Sequence, residues 1–319
     1  MHIRFGFVAN ALDLYEASPA KTVTFSRYRQ LGEKEGKKKL HDVTEMNLLR
    51  TKRIIHYLIA HEIPLYRFSS SLVPLATHPE TQWDYITPFS HLYKEIGTLV
   101  KTHQLRTSFH PNQFTLFTSD RDHVTEKAVE DLVYHYELAK AMGLHEEIRI
   151  NIHVGGAYGD KEKALERFHN NIKKVPAHIL KQLTLENDDK TYTTTETLAV
   201  AEQHSIPMMF DYHHYVANHT DDEELTELLP RVFATWESTS QPAKIHISSP
   251  KSKTAFRSHA DYVDETFLEP LLDGLKTIRE NVDFMIEAKA KDRACLSLID
   301  RLSKKRGMNQ VSGGSIVIR

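Results

Sequence analysis

Six short apolar segments of this chain each end in a histidine, an aspartate or a glutamate. Imidazole nitrogens and carboxylate oxygens bind Zn²⁺, Mn²⁺ or Fe²⁺, and a ligand set without cysteine disfavours a structural zinc site. One such residue alone is more often a buried core histidine or a helix-capping acid. Because six successive apolar segments all end in such a residue, the pattern instead predicts a centre that holds several metal ions. The terminal residues, in chain order, are His110, His153, Glu186, Asp211, His246 and Glu287.

These segments alternate with helix-forming stretches, which is the pattern of a (β/α)₈ barrel. Two more apolar segments, 3–8 and 64–68, come first and bring the number of predicted strands to eight. Active sites of such barrels lie at the C-terminal ends of the strands. We therefore predict an α/β fold, a single TIM-barrel domain over residues 1–319 with long loops at that end. Residues from about 307 to 319 are expected to form a C-terminal tail outside the barrel.

The longest predicted connection follows the first strand and runs from Asn10 to about Asp42. It contains a helix-like stretch, 24–31, and the first regular helix is predicted after it, with an apolar stripe from Leu48 to Ile59. Long loops in compact domains are usually functional or disordered. Because this one leaves the end of the barrel that carries the ligands, we interpret it as part of the substrate surface.

Composition limits the class of protein. The chain has 319 residues, 20 of them histidine, and a formal net charge of −2, which does not indicate a nucleic-acid-binding protein. Basic clusters at 37–39, 251–257 and 304–306 are either local binding surfaces or solvated faces. No stretch is apolar enough to span a membrane, and the N-terminus lacks the core of a signal peptide. The single Cys295 permits no disulfide within the chain, so we expect a cytoplasmic protein without membrane attachment.

Neighbouring strands of a barrel end close together, and this suggests how the ligands are shared. We expect Glu186 to bridge two ions, since one carboxylate can bind two metals. Asp211 is followed three positions later by His214, which is expected to reach a third ion together with His259. Such centres activate water and stabilise the attacking and leaving oxygens of a phosphoryl displacement. The predicted ligands are His110, His153 and Glu186 for the first ion, and Asp211, His246 and Glu287 for the second.

Lys244 precedes His246 by two residues on the same predicted strand, so both side chains should point to the same side. One interpretation is a lysine that extends along the barrel or pairs with an acid such as Glu287. The alternative is a lysine whose pKa is lowered by nearby cations, which makes it a candidate for carbamylation and for metal binding or general-base catalysis.

Gln113 and Phe114 follow the ligand His110 in a predicted rim loop. Loop aromatics commonly pack beneath a helix, and that is one interpretation of Phe114. The other is a wedge for nucleic acid, in which the ring stacks where bases have separated and the amide contacts a base edge.

Taken together, the motifs resemble those of the UV-damage endonucleases, the UvdE-type DNA repair nucleases, over essentially the whole chain. The similarity is close to the bacterial Bacillus-type branch. The matching motifs are 5–10 (FGFVAN), 66–71 (YRFSSS) with His78, 106–113 (RTSFHPNQ), 151–156 (NIHVGG), 185–190 (LENDDK), 211–214 (DYHH), 246–250 (HISSP), 257–260 (RSHA) and 286–289 (IEAK).

This resemblance implies a barrel related to endonuclease IV and a centre of two to three divalent ions. Manganese is favoured, with zinc, magnesium or cobalt as alternatives. It also implies that Lys244 is a modified lysine, N6-carboxylysine, beside the metals. Glu186, Lys244 and His78 are then the catalytic candidates, His78 because it matches a histidine close to the metals. The residues implied to hold the ions are His110, His153, Glu186, Asp211, His214, His246, His259 and Glu287.

The family resemblance also implies that Gln113 and Phe114 probe the lesion. We expect further DNA contacts from the first matching motif and from a basic, serine-rich part of the rim. Some family members have tyrosine at the positions of Phe7 and Phe114, so any role of those hydroxyls is absent here. Endonuclease IV has an acid where this chain has Arg257, which leaves the third ion with less support than the other two. The further expected contacts are Asn10, Phe7, Ser248, Lys251 and Arg257.

The activity implied is metal-dependent incision of damaged double-stranded DNA immediately 5′ of a UV photoproduct. The lesions are cyclobutane pyrimidine dimers and 6-4 photoproducts, with abasic or other helix-distorting sites as a possible extension. We expect a monomer with no obligatory protein partner. Two other functions are compatible with the ligands: a metal-dependent sugar isomerase or epimerase on a related barrel, and a lesion-binding protein without catalysis. The serine-rich basic rim favours a phosphodiester over a sugar.

Overall fold

A computed structural model describes residues 1–112 and 115–319. Within these residues, eight parallel strands close into a barrel, because the first strand pairs with the last as well as with the second. This confirms the predicted fold class. The barrel strands are β1 (His2–Val8), β2 (Leu65–Arg67), β3 (Arg106–Phe109), β4 (Arg149–His153), β5 (Leu183–Glu186), β6 (Met208–Asp211), β7 (Ala243–Ile247) and β10 (Val282–Ile286).

Helices surround the barrel and bury the outward-facing apolar side chains of the strands. Two short 3₁₀ helices are also present: Thr87–Phe89 directly precedes the helix Ser90–Thr102, and Ile172–Lys174 directly follows the helix Lys161–Asn171. The α-helices are α1 (Phe25–Ala60), α2 (Ser90–Thr102), α3 (Asp122–Ala141), α4 (Lys161–Asn171), α5 (Ala177–Leu180), α6 (Thr194–His204), α7 (Tyr212–Ala217), α8 (Leu225–Ala234), α9 (Glu269–Ile278) and α10 (Lys291–Ser303).

Helix α1 is 36 residues long and corrects one prediction from the sequence. Most of the segment predicted as a long loop is helical, and only residues 9–24 connect β1 to α1. The helix bends at Gly32, whose φ of 75° lies in the left-handed region that favours glycine. Beyond the bend, oppositely charged side chains on the exposed face form ion pairs at i,i+4. Nζ of Lys37, for example, lies 2.7 Å from Oε1 of Glu33. The same segment also has an apolar stripe that is buried and includes Leu40.

The C-terminal tail is an ordered hairpin of β11 (Met308–Ser312) and β12 (Ser315–Ile318). Strand β12 pairs antiparallel with the first half of β1, from His2 to Arg4, whereas β2 pairs with the second half. The tail therefore extends the sheet at the N-terminal ends of the strands, the end opposite to the predicted ligands.

A second hairpin follows β7 at the C-terminal end of the barrel. It consists of β8 (Pro250–Ser252) and β9 (Ala255–His259), and it carries Arg257 and His259. No helix in the described part of the chain has the length and apolar character needed to cross a bilayer.

Candidate metal centre

Glu186 ends β5 and is 1% exposed, and its two carboxylate oxygens face different histidines. Oε2 lies 3.1 Å from Nε2 of His110 and 3.9 Å from Nε2 of His153. Oε1 lies 3.1 Å from Nδ1 of His246 and 3.6 Å from Nδ1 of His214. The carboxylate thus stands between two groups of nitrogen donors.

Two sets of side chains bring candidate ligand atoms within 4.8 Å of one another, and Glu186 belongs to both. Metal–ligand bonds of about 2.0–2.2 Å place neighbouring ligand atoms about 3–3.5 Å apart, which matches the shorter distances around Glu186. The first set has the composition expected from the sequence. The second joins Asp211 and His246 to Glu186, the residue expected to bridge the two ions, and Glu287 is not part of this set. The sets are His110, His153 and Glu186, and Glu186, Asp211 and His246.

Asp211 provides a test of whether these residues fit a metal ion. It is 0% exposed, and its Oδ1 accepts a hydrogen bond of 2.8 Å from the backbone N–H of His214. Its Oδ2 is buried and has no hydrogen-bond partner among the described residues. Burying an ionised oxygen without compensation costs several kcal/mol, roughly, and a bound cation removes that cost. The mixed nitrogen and oxygen donors suit Mn²⁺, Zn²⁺ or Fe²⁺.

Backbone carbonyls orient three of the predicted ligand histidines. Each has Nδ1 beside a carbonyl oxygen, so that Nδ1–H donates and the lone pair of Nε2 is free for a metal. The contacts are His110 to Pro111 at 3.1 Å, His214 to Asn187 at 2.9 Å and His259 to Glu287 at 3.1 Å.

Glu287 connects the remaining predicted ligands to this centre. Its Oε1 lies 3.2 Å from Nδ1 of His246, and its Oε2 lies 4.0 Å from Nδ1 of His259. Through such contacts all eight predicted ligands form one continuous cluster. Arg67 on β2 also forms an ion pair with Glu287, which the sequence did not indicate. Burial acts to raise the pKa of Glu287, but interactions with Arg67, His246 and His259 together outweigh burial and lower the pKa below its usual range.

The electrostatics of the cluster favour an ionised Glu186. Burial acts to raise the pKa of its carboxyl group. Electrostatic interactions with His246 and His153 and hydrogen bonds with His110 and His246 together outweigh burial, and they lower the pKa well below its usual range. The carboxylate is therefore available as an anionic ligand.

Asn151 and Asn187 support the carboxylates, and sequence reasoning missed both. Asn151 is 1% exposed and donates from Nδ2 to Oε2 of Glu186. Asn187 accepts from the backbone N–H of Asp211 at 2.8 Å and donates to the carbonyl of the same residue at 2.9 Å. The signal for Asn151 was present, because it precedes His153 by two positions on β4 and so faces the same side.

The comparisons with known proteins identify the family. The sequence profile of the family described as UV-endonuclease UvdE matches residues 3–318. The chain belongs to this family. It is 59% identical over 316 residues to a UV DNA damage endonuclease of Bacillus pumilus (strain SAFR-032), covering 99% of both chains. It is 57% identical over 316 residues to a UV DNA damage endonuclease of Bacillus cereus (strain 03BB102), again covering 99% of both.

Solved structures agree with this assignment. The crystal structure of SacUVDE superposes with a TM-score of 0.83 at 30% identity, covering 95% of this chain and 100% of that one. A D-tagatose 3-epimerase-like protein gives a TM-score of 0.52 at 13% identity, covering 78% of this chain and 90% of that one, which shows a shared fold alone.

Lys244 lies inside the barrel, as its spacing from the predicted ligand His246 indicates. It is 0% exposed, it pairs in register with Asp283 of β10, and its Nζ has no hydrogen-bond partner among the described residues. Burial, followed by the positive charge of Arg106, lowers the pKa of Lys244 well below its usual range. Burial therefore shifts this side chain toward the neutral amine.

Two of the expected DNA contacts have fully buried side chains. Phe7 is 0% exposed and faces the helix layer, where its ring packs against Tyr57 at 6.3 Å between centroids. Ser248 is also 0% exposed, and its Oγ lies 2.7 Å from Nδ1 of His213. Since Nε2 of that histidine lies 2.7 Å from the carbonyl of Phe256, Ser248 ties β7 to the β8–β9 hairpin rather than facing DNA.

The other expected DNA contacts reach the surface or lie outside the described residues. Lys251 and Arg257 are exposed on the β8–β9 hairpin, and Nε of Arg257 donates to the carbonyl of Asp189 at 2.8 Å. Asn10 is partly exposed and accepts from Oγ of Ser18 at 3.3 Å. The predicted wedge, Gln113 and Phe114, lies outside the described residues.

His78 lies on the rim apart from the ligand cluster. Its ring stacks on Phe25 with a centroid distance of 3.9 Å, and its Nδ1 accepts from the backbone N–H of Glu80 at 3.3 Å. It lines a cavity of about 800 Å³ together with Ser70 and Asn112. Within residues 1–112 and 115–319, no hydrogen bond or ion pair joins His78 to the cluster, so its catalytic role stays a prediction.

Proposed function

We propose that this protein is a metal-dependent endonuclease that nicks DNA immediately 5′ of a UV photoproduct. The substrates are duplexes with cyclobutane pyrimidine dimers or 6-4 photoproducts, and by extension abasic or other distorting lesions. Relatives at 57–59% identity bear the name UV DNA damage endonuclease, which supports the reaction class. We further propose that it acts as a monomer in the cytoplasm without an obligatory protein partner.

The observation that carries the proposal is the position of Glu186 between two donor groups. We infer a centre of two ions, manganese favoured, with a third held by His214 and His259. Two divalent ions held on either side of one carboxylate would stabilise the charge on the attacking and leaving oxygens of a phosphodiester. Glu186 holds the two groups in one geometry, and the backbone carbonyls beside the histidines fix which nitrogen faces inward.

A cavity of about 450 Å³ opens beside the ligands and gives the phosphodiester a route to them. Its wall includes His110, His153 and His214, and its rim includes Asn112 and Lys190. Lys190 is exposed and adds a positive charge to a lining that also contains Asp188 and Asp189, so it is the proposed contact for an approaching phosphate.

Recognition of damage is proposed to depend on the deformability of the duplex, because a damaged dinucleotide is easier to unstack than an intact one. Gln113 and Phe114 are the proposed wedge that occupies the space left by the lesion. Asn10, Lys251 and Arg257 remain as proposed contacts to the backbone. Arg257 is tied to the β5–α6 loop through Asp189, so the hairpin presents it in one orientation.

A sugar epimerase is the second function considered, and the fold alone supports it. The family membership and the exposed basic side chains of the β8–β9 hairpin both favour a nucleic-acid substrate. A lesion-binding protein without catalysis would not require a carboxylate shared by two metal-ligand sets.

Nicking of supercoiled plasmid tests the proposal directly. UV-irradiated and unirradiated plasmids are incubated with purified protein and Mn²⁺, with and without a chelator. We expect open circles from irradiated plasmid only, and none after chelation. Glu186→Gln should abolish nicking and lower the metal content, because an amide cannot carry the bridging charge. Glu202→Gln, which alters an exposed ion pair with Arg231 (2.9 Å), is the matched control. Full activity and full metal content in Glu186→Gln would exclude the bridging role.

A further inference from the structure

Two cations at the rim of the barrel, Arg67 and Lys291, are not among the predicted metal ligands. Arg67 is the last residue of β2 and forms an ion pair with Glu287, whereas Lys291 is the first residue of α10. A turn after Glu287 brings Lys291 back toward the rim, because its backbone N–H donates to the carbonyl of Ala288 at 3.1 Å. Strands β10, β1 and β2 are neighbours, so both cations lie on that side of the metal centre, away from the cavity near His153.

The charged groups of both side chains are open to solvent. The side chain of Arg67 is 16% exposed, and Lys291 is also partly exposed. Nη1 of Arg67 donates to Glu287, whereas its Nε and Nη2 and the Nζ of Lys291 make no hydrogen bond to a described residue. None of these three nitrogens is among the buried, unpartnered nitrogens of the described residues, in contrast to Nζ of Lys244. A guanidinium edge and an ammonium group are therefore accessible to a ligand at the rim.

The backbone holds Lys291 in a conformation that is unfavourable for lysine. Its φ is 50°, in the left-handed region that glycine and asparagine adopt more readily. The next residue, Asp292, is 0% exposed, and its carboxylate accepts the backbone N–H groups of Leu12 at 2.6 Å and of Asp13 at 3.1 Å. The start of α10 is thus fixed to the loop that follows β1. Residues held in such conformations are concentrated at functional sites.

The charges around this pair favour the binding of an anion. Burial, followed by the positive charge of Arg67, lowers the pKa of Lys291, and Glu287 acts in the opposite direction. Glu287 is also a predicted metal ligand and lies 3.2 Å from Nδ1 of His246, so its single charge does not neutralise both cations. An oxyanion that accepts hydrogen bonds from both side chains removes the repulsion between them.

We propose that Arg67 and Lys291 bind one phosphate of the incised strand, next to the scissile phosphate at the metal centre. Arg67 contacts it through the edge formed by Nε and Nη2, and Lys291 contacts it through Nζ. The strand then extends from Lys190, at the cavity, across the metal centre to this pair, and it is held on both sides of the bond that is cut. This inference rests on the proposed nuclease function and adds a phosphate subsite to it.

The experiment combines uncharged phosphate analogues in the DNA with substitution of Lys291. A duplex with one cyclobutane dimer carries a single methylphosphonate at successive positions of the incised strand, and anisotropy measures binding with a chelator present to prevent incision. At one position next to the incision site, the analogue should weaken binding by the wild-type protein about tenfold. The same analogue should not weaken binding by Lys291→Asn, because that contact is already lost. Asparagine is chosen because it tolerates the left-handed backbone.

Two further variants keep the test decisive. Arg67→Lys, which retains the charge but loses the two-point contact, should become insensitive to the analogue at the same position. Lys276→Asn alters an exposed ion pair with Asp273 (2.7 Å) on α9 and should respond as the wild-type protein does at every position. In incision assays with Mn²⁺, Lys291→Asn should raise KM about tenfold and change kcat less than about threefold, because the pair holds the strand and not the attacking water.

The possible failures of this inference and of the nuclease proposal are distinguishable. If each analogue weakens binding by the wild-type protein, Lys291→Asn and Arg67→Lys equally, the pair does not contact a phosphate, while the nuclease proposal stands. If the wild-type protein neither binds the damaged duplex nor nicks irradiated plasmid, both proposals are wrong. Melting temperatures recorded for every variant show whether a loss of binding comes from unfolding, and a purely structural role of the pair would leave the dependence on analogue position unchanged.

Discussion

Asn151 donates a hydrogen bond from its side-chain amide to Oε2 of Glu186, the oxygen that also faces His110 and His153. Thr184 fixes the orientation of that amide, since its Oγ1 donates to Oδ1 of Asn151 at 2.8 Å. The amide nitrogen must then point toward the carboxylate. Side chains of β4 and β5 thereby fix the orientation of the Glu186 carboxylate. In this orientation, one oxygen faces each of the two groups of nitrogen donors.

We expect Asn151→Ala to lower the affinity for Mn²⁺ by roughly 10–100-fold, because residues that orient a metal ligand typically contribute that much. Calorimetric titration of metal-free protein with Mn²⁺ measures it. Asn309→Ala, on the exposed strand β11, is the control for a general effect of the substitution. An Asn151→Ala protein that binds Mn²⁺ as tightly as the control would show that Glu186 needs no such support.

The sequence was sufficient to place the ligands because their positions depend on a simple rule. Parallel strands of a barrel end on one side, so a polar residue after each apolar run reaches a common centre. His110, Glu186 and Asp211 follow that rule. How closely each acid approaches a group depends on side-chain rotation, which spacing cannot reveal, and so Glu287 lies beside His246 but outside the compact set of Glu186, Asp211 and His246.

Other predictions required knowledge of which face of a strand is solvated. Phe7 was expected to contact DNA, yet its position on β1 points it at α1. Ser248 lies in a serine-rich motif but faces His213. The charged run after Gly32 suggested a loop, although its charges lie on one side of a helix. For Phe7 and Ser248 the packing partner is distant in sequence, whereas the charged residues after Gly32 pair with one another within one turn of the helix.

Lys244 is predicted to carry a carbamate in part of the protein. Burial lowers its pKa and so favours the neutral amine, whose nitrogen attacks CO₂ with release of a proton to solvent. Mass spectrometry under non-denaturing conditions should detect an addition of about 44 Da that depends on bicarbonate, since nearby cations favour the anion. The same measurement on Lys244→Arg is the control and should show no addition. Unmodified Lys244 at alkaline pH with bicarbonate would contradict the prediction.

Lys251→Ala is expected to reduce the salt dependence of DNA binding by about one unit of slope, because one phosphate contact is lost. Damaged and undamaged duplexes should be weakened equally. Lys304→Ala is the matched control, because Lys304 pairs with Asp300 at 2.7 Å near the end of α10. Binding measured by fluorescence anisotropy over a range of salt concentrations tests this. If the salt dependence of DNA binding is the same for both variants, the β8–β9 hairpin is not part of the DNA-binding surface.

Phe114→Ala is predicted to impair the recognition of damage and to leave the metal centre intact. Loss of one stacking surface costs roughly 1–3 kcal/mol, so binding to UV-damaged duplex should fall by about one to two powers of ten. Gln113→Ala should act in the same direction but more weakly, through the loss of hydrogen bonds to the opposite bases. Metal content should not change in either variant, because neither side chain is a proposed ligand.

If Phe114 instead has a packing role, Phe114→Ala should change the melting temperature and not the preference for damaged DNA. Removal of a packed ring lowers the melting temperature, while the protein that remains folded keeps its preference for damage. The neighbouring residues are well anchored, since Oγ1 of Thr115 donates to Asp131 at 2.6 Å and its backbone N–H to the carbonyl of Asn112 at 3.0 Å. Melting temperature and the ratio of damaged to undamaged binding are therefore measured on one preparation. A stable Phe114→Ala protein with an unaltered ratio would leave the wedge without support, because stacking on a lesion must change that ratio.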